Sequence, residues 1–519
     1  MTESFIPAAA VGICLLAAGL IMLFGNRLHR NLREAVTIGA AVCAAGLVFS
    51  MTPGVLEGRI YETRLWQIAE GVELVFRTDA AGMLFACIAS SLWILTSFYS
   101  IGYMRGHHEK NQTGYFAAFA VCVGSALGIA MAANLMTFFI FYEMLTIATY
   151  PLVAHYRNDS AKRSGRKYLA YTLISGQLFF AGICTVYVLC GTGDFAAGGF
   201  LAQKAGETLP TSNGLCLLFL LMIVGGAVKA GVMPLHSWLP AAMVAPTPVS
   251  ALLHAVAVVK AGAFCVLRVV CYVFGPELAI SCGGGKILAW AAAVTIILSS
   301  LTALRKDNLK ARLAFSTVGQ LSYIIMGICV CAQASIAGAM FHMVAHAFLK
   351  ITLFMCAGAI FVTTGLSEIS TMRGLARRMP CTMTCFAIAS LGIAGLPLMA
   401  GFVSKFNLIR GILAMGQPFF AVVLVAAALL ALSYLMPVVQ IVFSKGEGTN
   451  GGPLLPETDA HGHAYPRTGD AALAMRIPLM LTTAAAVLLG CMPDAGAHLY
   501  TLAQMAARAV TEGGGFLAG

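Results

Sequence analysis

Residues 133–155 read ANLMTFFIFYEMLTIATYPLVAH, with one acidic side chain, Glu143, deep inside the stretch. A helix of about 20 apolar residues covers the hydrocarbon core of a bilayer, so this stretch reads as a membrane-crossing helix with a carboxylate in its interior. Runs of the same kind recur near 4–24, 34–52, 80–103, 114–131, 167–190, 213–235, 247–273, 285–304, 309–330, 333–362, 380–411, 417–443 and 473–492, which makes fourteen spans in all. The first run opens Thr2-Glu3-Ser4 without a basic start, so it is expected to be a span rather than a cleaved leader.

The composition agrees. Hydrophobic residues make up 59% of the 519 residues and charged residues 10%, against roughly 45–50% and about 25% in soluble domains. Too few charges are present to cover a water-facing surface, so a soluble enzyme, a disordered tail and a disulfide scaffold are excluded. The expected fold is an all-α polytopic membrane protein, since helices satisfy their own backbone in lipid.

The net charge of +11 follows from the excess of Lys and Arg that membrane proteins keep in cytoplasmic loops. No basic run with interleaved aromatics suggests nucleic acid. Loops after odd-numbered spans hold twenty of the thirty-two Lys and Arg, the other loops eight, and four fall within spans. That asymmetry predicts odd loops in the cytoplasm and both termini outside it. The sixteen cysteines include no C-x-x-C, so neither iron–sulfur nor zinc ligation is expected. Cys381 and Cys385 share a helix face and read as small buried hydrophobes. No cofactor, metal or redox centre is expected in this chain.

An ionisable side chain at the bilayer centre costs about 2.5–3.5 kcal/mol on insertion scales, so its default reading is functional. Glu143 is joined by Lys229, Lys260, Lys350 and Lys405, and by His254, His342 and His346. Structural ion pairs or snorkelling are the bland alternative, but four lysines against one carboxylate leave an excess that pairing cannot neutralise. His342, His346 and Lys350 stand at i, i+4 and i+8 and share one helix stripe, which suits a file of water. His254 and Lys260, six apart, point to different faces of a continuous helix, so not both need lie on one path.

Two spans look broken. Ala227-Val228-Lys229-Ala230-Gly231-Val232-Met233-Pro234-Leu235 lies in span seven, and Gly392-Ile393-Ala394-Gly395-Leu396-Pro397-Leu398, followed by Lys405, in span twelve. Interrupted helices in both halves of a chain point to a transporter's midplane ion path. Spans seven and twelve are five apart. Repeats of spans 4–8 and 9–13 have an odd number of crossings and would be inverted. The expected organisation is 1–113 for spans one to three, 114–273 and 285–443 for two ion-translocation repeats, and 444–519 for a Gly/Pro-rich polar loop (444–472), span fourteen and the C-terminus.

From about residue 115 to 411 the sequence resembles the antiporter-like membrane subunits shared by respiratory complex I, Mrp-type Na⁺/H⁺ antiporters and membrane-bound hydrogenases. The resemblance rests on Tyr142-Glu143, KAGVMPLHSWLP at 229–240, APTPVSALLH at 245–254, the Lys260 segment, DNLKARLAFST at 307–317, His346-Ala347-Phe348-Leu349-Lys350 and Gly395–Lys405. It implies fourteen helices with inverted repeats. Glu143 resembles the family's fifth-helix glutamate, Lys229 the seventh-helix lysine it modulates, and Lys260 the connecting lysine. His254, His342 and His346 match family histidines, and Lys405 the twelfth-helix lysine. Gln320 stands where some members carry a histidine, so water is expected at that step.

The resemblance also implies a bacterial inner-membrane location, partner membrane subunits, and H⁺, with Na⁺ as the alternative ion. Among the branches, an Mrp D-type subunit is favoured over a complex I or hydrogenase subunit. Enzyme activity would belong to such a complex, since this chain has no redox centre or nucleotide loop. A passive scaffold and a lone secondary transporter are the competing readings.

Overall fold

The computed structural model describes residues 2–27, 29–69, 71–203, 210–446, 453 and 469–513. Most of the loop 444–472, together with Lys204 and Arg467 of the charge count, lies outside the described residues.

Spans one to six are Ile6–Phe24, Arg30–Leu56, Ala80–Gly106, Gln112–Ala130, Leu135–Val153 and Asp159–Cys190. Span seven is Ser212–Ala230, and span eight is Thr247–Ala255 and Val258–Arg268, continued by a π-helical stretch at Val269–Phe274. Spans nine, ten and eleven are Gly284–Leu304, Leu309–Cys329 and Gln333–Thr364. Span twelve is Pro380–Ala394 and Ala400–Ala414, span thirteen Pro418–Phe443 and span fourteen Leu473–Cys491. Among the described residues thirteen helices are long and apolar enough to cross a membrane, and span twelve adds two shorter halves.

The helix ends follow local chemistry. Asn134, Asn158 and Asn308 cap spans five, six and ten by accepting the backbone N–H three residues on, which satisfies a donor that the first turn leaves free. Gly231 and Gly395, at φ +76° and +94°, close span seven and the first half of span twelve in the left-handed conformation that glycine adopts without strain. Span seven thus ends at Ala230, five residues short of the expected boundary. The break in span eight at Val256–Ala257, between its two helices, was not legible, because no proline or glycine marks it.

Spans eight, ten and eleven are enclosed by the other helices. They carry His254, Lys260, His342, His346 and Lys350, all buried. The bundle therefore keeps these ionisable groups away from acyl chains, which is how a membrane fold tolerates them.

The two ends of the bundle differ. One end gathers the N-terminus and the connections after even-numbered spans. Strand β1 (Thr2–Glu3) pairs in parallel with β2 (Tyr61–Ala69), which pairs antiparallel with β3 (Val72–Arg77). The connection 53–79, expected to be plain loop, therefore holds a hairpin. Glu62 on β2 binds both Arg77 (2.7 Å) and Arg64 (3.0 Å). A C-terminal helix, Leu499–Thr511, lies at the same end and buries Leu502, Ala503, Ala506, Ala507 and Val510; it too was not foreseen, being shorter than a span.

The opposite end gathers the connections after odd-numbered spans. Arg105 pairs with Glu34, Arg33 with Gln112 (2.7 Å), and Asn308 with Glu368 (3.0 Å). Here Glu109, between spans three and four, accepts from Tyr156 (2.8 Å) and lies 3.1 Å from His107 and 3.6 Å from His155. Burial pushes this carboxyl up, but its bonds with His107, His155 and Tyr156 outweigh that and hold it at about 2, below the ordinary value of about 4.3. A depressed carboxyl contributes stability above its unfolded value and loses it as pH falls through its folded value. Glu109→Gln is accordingly expected to lower the melting temperature at pH 7. The difference from the parent should shrink below about pH 4 and vanish near 2, as read by thermal unfolding in detergent.

Candidate functional site

Span five brings Tyr142 and Glu143 to the level of Lys229 in span seven. Lys229 occupies the last helical turn before Gly231. It is fully buried, with Nζ donating to the Tyr142 carbonyl at 2.6 Å and lying 3.1 Å from the centroid of the Tyr142 ring. The Tyr142 hydroxyl donates in turn to the Gly225 carbonyl at 2.8 Å. The Glu143 carboxylate packs against span six, where a Cβ added at Gly176 would stand 2.2 Å from Oε1. Neither Glu143 oxygen has a hydrogen-bond partner among the described residues. Glu143 and Lys229 therefore form no direct ion pair here, and a neighbouring carbonyl dipole holds the ammonium instead.

Spans seven and eight approach backbone to backbone beside Lys229. A Cβ at Gly262 would meet the Ala230 nitrogen at 2.5 Å and the Lys229 carbonyl carbon at 2.8 Å. This contact sets the segment carrying Lys229 against the one carrying Lys260, although no hydrogen bond links the two ammonium groups. Lys260 reaches span eleven, with Nζ 2.7 Å from His346 Nδ1. The rings of His346 and His342 are 6.2 Å apart. His342 is held at both nitrogens, Nδ1 to Ser404 Oγ at 2.8 Å and Nε2 to Gln320 Oε1 at 3.1 Å.

This last pair of bonds has a chemical consequence. Ser404 Oγ also donates to the Gly401 carbonyl at 3.0 Å, so its one hydrogen is engaged and it accepts from His342. With Oε1 of Gln320 facing Nε2, that ring nitrogen donates as well, so the roles of the two nitrogens follow the ring's tautomer and the orientation of the amide. Turning the amide over presents its N–H₂ and suits the neutral ring. Gln320, which stands where some family members carry a histidine, bonds the His342 ring directly at 3.1 Å, and either end of its amide can meet the ring nitrogen.

Lys405, in the second half of span twelve, donates to the Ile393 and Ala394 carbonyls at 2.6 and 3.0 Å. These carbonyls are left free where the first half ends at Gly395. Lys229 also sits beside a helix break, but it precedes its glycine and binds another span. The two lysines thus use their breaks differently. Lys350 donates to Ser316 Oγ (2.6 Å) and the Leu313 carbonyl (3.2 Å), and Ser316 meets the Tyr434 hydroxyl at 2.7 Å.

The His254 ring lies tilted against Phe354, 4.7 Å between centroids, and its Nδ1 has no hydrogen-bond partner among the described residues. The expectation that His254 and Lys260 face different ways assumed one continuous helix. The break at Val256–Ala257 resets the rotation, and both side chains reach span eleven, one at Phe354 and one at His346. Tyr142, Ser404, Ser316 and Tyr434 were missed as partners. Ser404 and Tyr142 adjoin Lys405 and Glu143 in sequence and Ser316 lies within the 307–317 motif, which were the available signals. Tyr434 carries no pattern that separates it from ordinary helix residues.

The model of the family described as "NADH:quinone oxidoreductase/Mrp antiporter, TM" matches residues 132–431. The chain is 29% identical over 402 residues to the putative antiporter subunit mnhA2 of Staphylococcus haemolyticus, covering 74% of this chain and 49% of that one. It thus spans about half the length of that relative. It is 30% identical over 382 residues to NADH-quinone oxidoreductase subunit N of Desulforudis audaxviator, covering 73% of this chain and 74% of that one. A chain of the Mrp complex from Dietzia sp. shares the fold, with a TM-score of 0.84 and 21% identity over 98% of both chains. This chain belongs to the NADH:quinone oxidoreductase/Mrp antiporter family of membrane-embedded, multi-pass proteins.

Proposed function

We propose that the chain is a proton-translocating, antiporter-like subunit of a multi-subunit membrane complex of the Mrp or complex I type. The observation that carries this reading is the buried series Lys260–His346–His342–Ser404, with contacts of 2.7 and 2.8 Å at its two ends. None of these groups is paired with a carboxylate among the described residues. A hard cation such as Na⁺ needs oxygen ligands, which a row of lysines and histidines does not offer, whereas the same row can pass a proton. We therefore assign H⁺ to this path.

In this scheme Glu143 tunes Lys229, whose proton passes to Lys260, then along His346 and His342 to the Ser404–Lys405 region and the outer face. His254 and Lys350 flank the row. Glu143 lies on the face of span five that exposes Ile140 and Ile147, which suits contact with another membrane subunit. Each charge driven against the membrane potential costs about 2.3 kcal/mol per 100 mV, which such a partner or a downhill ion would supply, since no redox centre or nucleotide loop stands among the described residues.

The breaks in spans seven and twelve support two inverted repeats, 114–273 and 285–443. We place the end with the even-span connections and both termini outside the cytoplasm of a bacterial inner membrane, from the loop charges. Neither the mnhA2 antiporter protein nor the N-type oxidoreductase protein named above is of the D type, so that assignment finds no support in these relatives.

The test is flux through the complex reconstituted in liposomes. Glu143→Ala and Lys229→Ala are each expected to reduce driven H⁺ translocation by about 10²-fold or more, the scale of losing a positioned proton-transfer group. Intact flux in both variants would overturn the mechanism and favour a scaffold role.

A further inference from the structure

At the end of the bundle carrying the termini, a cavity of about 530 Å³ opens among Ala337 of span eleven, Asn407 and Arg410 of span twelve, the Asp79–Arg268 pair, and Tyr500 of the C-terminal helix. The lining is mostly apolar, but Asp79, Arg268, Asn407, Arg410 and Tyr500 bring polar side chains to it, enough to hold water at those points. Asn407 borders it while being only 4% exposed, so this side chain stands where the cavity meets the packed interior. Ser404 lies one helical turn deeper on span twelve, about 4.5 Å along the axis, and is the residue bonded to His342 Nδ1.

Between the cavity and that histidine the packing is tight. A Cβ at Gly338 would meet the Leu408 nitrogen at 2.7 Å and the Asn407 carbonyl carbon at 3.0 Å, so spans eleven and twelve touch backbone to backbone here. The Asn407 amide is tied off at both ends. Its Nδ2 donates to the Val403 carbonyl at 2.9 Å, and its Oδ1 accepts from the Tyr500 hydroxyl at 3.2 Å. The Tyr500 ring also sets an edge against Phe341, at 5.3 Å, next to His342 in sequence.

We propose that this cavity is the release vestibule of the proton path, and that Asn407 and Tyr500 are positioning residues at its floor. Asn407, once released by Tyr500, orients water against Ser404, and the Tyr500–Asn407 bond keeps the join closed between transfers. The step conserves protons. His342 gives its Nδ1 proton to Ser404 Oγ as the serine hydroxyl proton leaves to vestibule water, and His342 regains a proton from the His346 side. This inference rests on the translocation reading above and adds its outlet.

The experiment uses the complex in proteoliposomes with an internal pH dye. Tyr500→Phe keeps the ring and removes the hydroxyl. It is expected to raise the passive proton leak after an imposed pH step by several-fold, a readout that a merely structural tyrosine would not move. Asn407→Leu is expected to lower driven translocation by about tenfold or more, with Asn407→Asp restoring most of it. An unchanged leak in Tyr500→Phe, or undiminished translocation in Asn407→Leu, overturns the proposal.

If Asn407→Leu does not fold, Ala337→Cys serves instead. Modification by a membrane-impermeant thiol reagent from the side of the termini is expected to slow translocation relative to the parent treated identically. Modification without slowing overturns the proposal. Loss of flux in Lys229→Ala beside normal flux in Asn407→Leu removes the vestibule alone, whereas normal flux in both removes the translocation reading itself.

Discussion

Lys260→Met is expected to stop driven proton translocation while leaving the protein folded. Lys260 is fully buried, and the contact of its Nζ with His346 Nδ1 at 2.7 Å joins span eight to the histidines of span eleven. Methionine keeps the length and flexibility of the side chain but can neither take nor give a proton. Loss of a positioned acid–base group costs about 10²–10⁴ in rate, so flux in proteoliposomes should fall to the background of empty vesicles. Stability should hold or rise, since replacing a buried charge by a hydrophobe of similar volume is often neutral or stabilising. A folded Lys260→Met complex that still pumps at the parent rate would show that protons bypass His346.

Asp79→Ala is expected to be the most damaging substitution for the fold. Asp79 caps span three through the Gly82 N–H at 2.7 Å and grips Arg268, at the end of span eight's second helix, at 2.5 and 2.9 Å. Arg268 is 2% exposed and ringed by Phe195, Phe264 and Tyr272, whose centroids lie 4.4–5.0 Å from its Cζ. Removing one partner strands a buried guanidinium, which costs about 3–5 kcal/mol, and the lost cap adds about 1 kcal/mol. Thermal unfolding in detergent should register a large drop. The double variant Asp79→Ala/Arg268→Met should recover much of it, because it removes the stranded charge. No recovery would mean that the cap and local packing, rather than the ion pair, hold this corner.

The spans were legible because transfer between water and lipid is summed over about 20 residues and tolerates local irregularity. The breaks at Gly231 and Gly395 were legible because Gly and Pro act on their own backbone. The break at Val256–Ala257 was not, since it interrupts a run of ordinary apolar residues. The hairpin Tyr61–Arg77 was hidden as well. Along β2 exposure does not alternate, so no period-two pattern announced it. The C-terminal helix was passed over because it is too short to span, although its buried side chains share one face.

Sequence by itself determined the class of protein, the approximate positions of its apolar helices and most of the ionisable side chains within them, although Arg268, counted with the loops, lies buried inside span eight. Each of those depends on the composition of a local stretch and on the cost of taking a charge out of water. Tertiary structure alone decided the partners. Lys229 meets Tyr142, Lys260 meets His346, and Asn407 meets Tyr500 across separations of 87, 86 and 93 residues. Hydrogen bonds form only within about 3 Å, and it is the rotation and close approach of whole helices, set by glycines such as Gly262 and Gly338, that brings those atoms within reach.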